Sequence, residues 1–162
     1  MRSRTSTWFE TKVKYDKTVE DGNVKPITEL YVVDAFTFSE AEETIIREMK
    51  PYISGQFDVK AIAPTSYGEI FFSDAPADDR WYKAKLQFIT IDEKTEKEKR
   101  INAYKLVQAA SINGAIKHIE EVMGGTMMDY VIAAINETKI MDVFEHKAQS
   151  QNQIDDKPEY EE

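Results

Sequence analysis

Two tryptophans, each followed by lysines at strand spacing, carry the most recognisable chemistry in this 162-residue sequence. Trp8 precedes Lys12 and Lys14, and Trp81 precedes Lys83 and Lys85. Every interval within each group is even, so an extended chain sets the ring and its cations on one face of a sheet. Single-stranded nucleic acid needs this combination. Bases stack on the rings, at about 1–3 kcal/mol each and whatever their sequence, while the lysines neutralise phosphates. A structural explanation competes with it: each tryptophan packs beneath its sheet or between two halves of the chain, and the lysines solvate a strand face and deter edge-to-edge pairing.

Other chemistry is sparse. The two histidines, His118 and His146, recur nowhere else, and Thr44 stands at the position equivalent to His118. No serine lies in a nucleophile elbow, and no glycine-rich loop follows a strand as phosphate binding requires. There is no cysteine, which removes disulfides, thiolate ligands and thiol nucleophiles together. Asp74, Asp78 and Asp79 are close enough in sequence to offer oxygens to a hard cation, but their spacing matches no calcium loop and reads as a solvated acidic joint. Asp58-Val59-Lys60 resembles a nuclease fragment of a kind common by chance, and the repeated acids Glu69 and Asp142 suit an exposed strand face. The expectation is a non-enzymatic protein with no cofactor and no metal.

The elements that hold these residues occur twice. Trp8 to Tyr15 returns as Trp81 to Phe88 (81 − 8 = 73), and Leu30 to Ala35 returns as Tyr104 to Ala109 (104 − 30 = 74). Ala41, Ile45 and Met49 fall on Ala115, Ile119 and Met123, and Phe57, Val59 and Ala61 on Tyr130, Ile132 and Ala134. Two copies are too few for a solenoid. The pattern predicts an α+β fold: an internal duplication of a ββαββ unit closing into one compact pseudo-twofold domain. Its parts are a first repeat over 1–73, an acidic joint over 74–80, a second repeat over 81–146 and a disordered acidic tail over 147–162.

In the first repeat, residues 7–16 alternate as a strand, Asp21-Gly22-Asn23 turns the chain, and 27–36 return. Ser39 with Glu42 forms a capping box for a helix that Pro51 stops. Strands follow around Phe57 to Ala61 and over 67–72. The second repeat has strands over 81–91 and 100–110, a charged turn over 92–99, and a helix over 113–123 closed by Gly124 and Gly125. Residues 127–136 also fit a helix, but their correspondence to the first repeat favours a strand. Met123, Met127 and Met128 are expected in the core.

Composition bounds the rest. Apolar residues at 41% and charged residues at 31% describe an ordinary globule, with no run near the roughly 20 residues of a membrane helix. The N-terminus leads into a strand pattern rather than a signal peptide, so a cytoplasmic location is expected. The net charge is −9, yet Lys12, Lys14, Lys17, Arg80, Lys83, Lys85, Lys97, Lys99 and Arg100 cluster on the paired strands.

The phrase from Asp79 to Lys94, with Thr7-Trp8-Phe9-Glu10, Tyr31 to Ala35 and Asp142 to His146, resembles an uncharacterised domain-of-unknown-function family of anaerobic gut bacteria and their phages. No activity is assigned to that family, so no site residue transfers. The resemblance implies a small intracellular protein of a mobile element or its replication and recombination machinery. Function is therefore expected to be single-stranded DNA or RNA binding through Trp8, Lys12, Lys14, Trp81, Lys83 and Lys85, with the acidic tail competing for that groove or docking partner proteins. The alternative is a protein–protein adaptor or assembly factor in which the tryptophans are structural.

Overall fold

A computed structural model describes residues 1–146, and the acidic tail expected over 147–162 lies outside the described residues. Nine strands and two helices follow one another as β1 (Arg2–Thr5), β2 (Trp8–Thr18), β3 (Val24–Asp34), α1 (Phe38–Met49), β4 (Phe57–Pro64), β5 (Glu69–Phe72), β6 (Arg80–Ile91), β7 (Glu98–Ala109), α2 (Ile112–Met123), β8 (Tyr130–Glu137) and β9 (Ile140–Phe144). The class is α+β, as expected. Residues 130–137 are a strand, which resolves the ambiguity over 127–136.

Alternation along β2 explains its place. Phe9, Thr11, Val13 and Tyr15 turn toward α1, where Phe9 and Val13 join Ala41, Ile45 and Met49 in a core. Trp8 faces the other way, into a core that contains no helix residue. In the second half Tyr82, Ala84 and Leu86 of β6 pack with Ala115, Ile119 and Met123 of α2. Trp81 joins Trp8 in the central core. The layers therefore run α1, sheet, sheet, α2.

Both long hairpins are antiparallel. Trp8 pairs with Asp34 at the base of the first, and Arg80 with Ala109 at the base of the second. Gly22 turns the first hairpin at φ +83, a left-handed conformation that glycine enters without a Cβ clash.

The sheet orders are β4-β2-β3-β9 and β1-β5-β7-β6-β8. The fourth major strand of each half thus leaves its own sheet: β5 pairs in parallel with β7, and β9 in parallel with β3. Sequence patterning placed β5 and β9 in the first and second repeats and left the strand order open. The exchange means that neither 1–73 nor 81–146 closes a sheet alone. β1, read only as a lead-in, adds antiparallel to β5.

The halves match in detail as well as in order. Register shifts occur at Lys12/Val13 between β2 and β4, and at Lys85/Leu86 between β6 and β8. Thr65 N–H donates to Trp8 O at 3.0 Å, and Thr138 N–H to Trp81 O at 2.9 Å. The Ser73 N–H donates to Gln108 Oε1 at 2.9 Å, and the His146 N–H to Asp34 Oδ2 at 3.3 Å.

Two local expectations change. The cap of α1 is Thr37, whose hydroxyl accepts from the Glu40 N–H, while the Glu40 carboxylate accepts from the Phe36 N–H at 3.1 Å. The box sits two residues before Ser39 and Glu42, because Thr37 is the last extended residue, at φ −135. Gly124 is the C-cap of α2 as expected, in right-handed conformation. Met123 is buried as expected, but Met127 and Met128 are exposed, Met127 fully, since they lie on the loop before β8. No helix among the described residues is long and apolar enough to cross a membrane.

Candidate partner-binding surfaces

The expected nucleic-acid residues separate into two environments. Trp8 is 1% exposed and Trp81 2%. Trp8 Nε1–H donates to Gly68 O at 2.9 Å, satisfying the one polar group that burial would otherwise orphan. Phe72 sits between the two indoles, its ring 6.3 Å from Trp8 and 5.7 Å from Trp81, edge-on to the second. No indole face is open to a base. The physical reason is the second sheet: alternation assigns Trp8 and Trp81 to a face, and that face in both halves is covered by the other half.

The lysines stay accessible. Lys12 and Lys14 are exposed, and Lys83 and Lys85 are half-buried, with Lys83 Nζ 5.3 Å from the Tyr104 ring centre. Cations without stacking surfaces give attraction to any polyanion, but not the combination that motivated a single-strand groove.

The remaining polar candidates have structural partners. The Asp78 carboxylate accepts from the Ser73 hydroxyl and lies 3.7 Å from His118 Nε2, while His118 Nδ1 is 2.8 Å from Gln108 O. This set pins the joint between the halves against α2. Asp74 and Asp79 do not join it, and among the described residues no three His, Asp or Glu side chains are grouped to hold a metal ion. Asp58 pairs with Lys60 at the surface, at 3.6 Å. Glu69 pairs with Lys105 at 2.8 Å, whereas Asp142 accepts from its neighbour's Val143 N–H at 2.8 Å, so these matching acids do different work.

A charged cluster that the sequence did not suggest joins the sheets at their rim. Arg4 on β1 meets the buried Asp34 at 2.6 Å and Glu145 at 3.1 Å. Arg2 also pairs with Glu145, and its guanidinium lies 4.2 Å over the Phe72 ring. The Ser6 hydroxyl donates to Asp34 as well. Hydrogen bonds from Arg2 first, and from Arg4, hold the Glu145 carboxyl below its ordinary value against the opposing effect of desolvation.

Two recesses border strand edges. One, of about 590 Å³, lies between α1 and β4 and is lined by Glu42, Ile46, Ile53, Phe57 and Val59. Another, of about 510 Å³, lies beside β9 with Glu48, Tyr52 and Phe144 in its wall. β4 and β9 are the two outer strands of their sheet, so their outward backbone groups have no strand beside them among the described residues.

No curated protein and no solved structure matches the chain. A family model described as Domain of unknown function (DUF4494) matches residues 7–146, from just before β2 to the end of the described residues, and the chain belongs to that family.

Proposed function

We propose that the protein is a non-enzymatic adaptor or assembly factor that holds extended segments of partner proteins at the open edges of its sheets. The burial of both tryptophans carries this reading. It removes the aromatic half of a nucleic-acid platform and gives the rings a role in joining the sheets. The backbone edges of β4 and β9 each lie beside a recess, of mixed lining at β4 and largely charged at β9, and supply what strand addition uses: main-chain hydrogen bonds for affinity and pockets for alternate side chains.

The two-sheet framework fits an internal duplication of a ββαββ unit with its last strands exchanged. Support comes from the matched register shifts, the paired threonine hydrogen bonds and the equal spans of β4 and β8.

The deciding experiment titrates the full-length protein with a labelled single-stranded oligonucleotide at two salt concentrations while following tryptophan emission. The adaptor reading expects no quenching, and any association lost as salt rises. Saturable binding that quenches tryptophan, or that persists at the higher salt and weakens in Lys12→Ala or Lys85→Ala variants, would restore the nucleic-acid reading.

A further inference from the structure

β5 and β9 hold corresponding places: each is the strand that crosses to the other half, and each is followed by a backbone N–H bound to a side chain at the end of its new neighbour. Their outer edges differ. β5 is covered by β1, with Arg2 opposite Phe72 and Arg4 opposite Ile70, and Met1 packs into the core between that sheet and α2. β9 ends its sheet. β1 lies outside the residues matched by the family model. The edge of a crossed strand is thus a place where this fold accepts a further strand, supplied on β5 by the chain's own N-terminal residues.

We infer that the outer edge of β9 receives an extended segment of a partner protein, bearing a lysine or arginine toward α1, in the manner in which β5 receives β1. This rests on the adaptor reading above. Space is present: the recess beside β9 measures about 510 Å³, and Tyr52 at its α1 wall is 78% exposed. Backbone capacity is present as well. Val143 corresponds to Ile70, which lies opposite Arg4 in the β1–β5 ladder, and the Val143 N–H is taken by the Asp142 carboxylate that an incoming carbonyl would replace.

Charge decides the chemistry of the occupant. Arg2 and Arg4, which reach the recess from the other sheet, are already paired with Glu145 and Asp34. Neither Glu48 of α1 nor Asp142 of β9 is in a salt bridge among the described residues, and Glu48 raises the cost of charging Asp142. Desolvation first, then Glu48, push the Asp142 carboxyl up against the Val143 hydrogen bond. A basic side chain beside them lowers that cost. A backbone edge selects polypeptide, and this pair of acids selects a cation on it.

The test uses the full-length protein and two N-acetylated peptides as probes. One copies residues 1–6, Met-Arg-Ser-Arg-Thr-Ser, and the other carries Glu in place of both arginines. Amide hydrogen exchange would be read at Val143 on β9, at Ile70 on β5 and along β4. Saturable protection of the Val143 amide by the arginine peptide is expected, weakened at least about tenfold by Glu48→Lys and absent with the glutamate peptide. Glu48→Asn, checked for native circular dichroism, separates lost charge from lost fold and should weaken binding less than Glu48→Lys. A Val143 amide protected beyond the level of its Asp142 hydrogen bond before any peptide is added would overturn the inference, because residues 147–162 or a second copy would already sit there. Equal binding of both peptides, or none, would overturn it too. Protection of β4 alone would end this inference and leave the adaptor reading standing, whereas the oligonucleotide titration tests that reading separately.

Discussion

Arg4 Nη2 lies 2.6 Å from Asp34 Oδ2, an ion pair that fastens the first strand of one sheet to the end of a strand in the other. Asp34 is buried, and the Ser6 hydroxyl and the His146 N–H also point at it. Arg4→Ala would leave this carboxylate with neutral donors only. Loss of one partner from a fully buried pair costs about 3–5 kcal/mol, and the partial exposure of Arg4 reduces that to about 2–3 kcal/mol here. Chemical denaturation would measure it. A loss below about 0.5 kcal/mol would mean that β1 contributes little to the union of the sheets.

Glu145 makes that union dependent on pH. Its folded-state carboxyl titrates below the unfolded value, chiefly through the Arg2 hydrogen bond. A lowered acid contributes stability above the unfolded pKa, near 4.5, and that contribution is lost as pH falls through the lower folded value. Stability should therefore decline on acidification from about pH 5 downward, and decline less steeply in Glu145→Gln. At neutral pH that variant should lose about 1–2 kcal/mol, the range for charge-assisted hydrogen bonds discounted for a half-buried site. Parallel slopes for the two proteins below pH 5 would refute the assignment.

The start of α1 offers a sharper comparison of two hydroxyls two residues apart. Thr37 accepts from the Glu40 N–H, whereas the Ser39 side chain is exposed on the first turn. Thr37→Ala should cost about 1 kcal/mol and Ser39→Ala less than about 0.5 kcal/mol. Thermal midpoints of both variants would decide, and a reversed order would return the cap to Ser39.

Those residues also show what a sequence can reveal here. Local periodicity was sufficient for α1, α2 and the strands from β2 to β7, because each buries a face whose spacing is written into it, whereas β8 and β9 were legible through their correspondence to the first repeat. The N-cap slipped by two residues since Thr37 and Ser39 are both good caps with an acid three positions on. The fate of Trp8 and Trp81 was not legible, because alternation tells which face a residue occupies but not what covers that face. The crossing of β5 and β9 is hidden for the same reason: a parallel partner far along the chain leaves no mark on the strand itself. The open edge of β9 is equally unwritten in its residues, since it follows from strand order alone.

Exchange of those strands should make the two halves unfold as one. Phe72 belongs by sequence to the first half, lies in the sheet of the second, and packs its ring against Trp8 and Trp81 alike. Its removal opens the core that both sheets share, so Phe72→Ala should cost about 3–5 kcal/mol. The remaining transition should still be single, with tryptophan emission and far-ultraviolet circular dichroism changing together. Two independent halves would behave otherwise: one transition would shift, the other would stay in place, and the two signals would part. Phe72→Leu keeps most of the volume but loses both ring contacts, so it should fall between the wild type and Phe72→Ala. That ordering, with one midpoint throughout, is the behaviour expected of a molecule whose halves are completed by each other's strands.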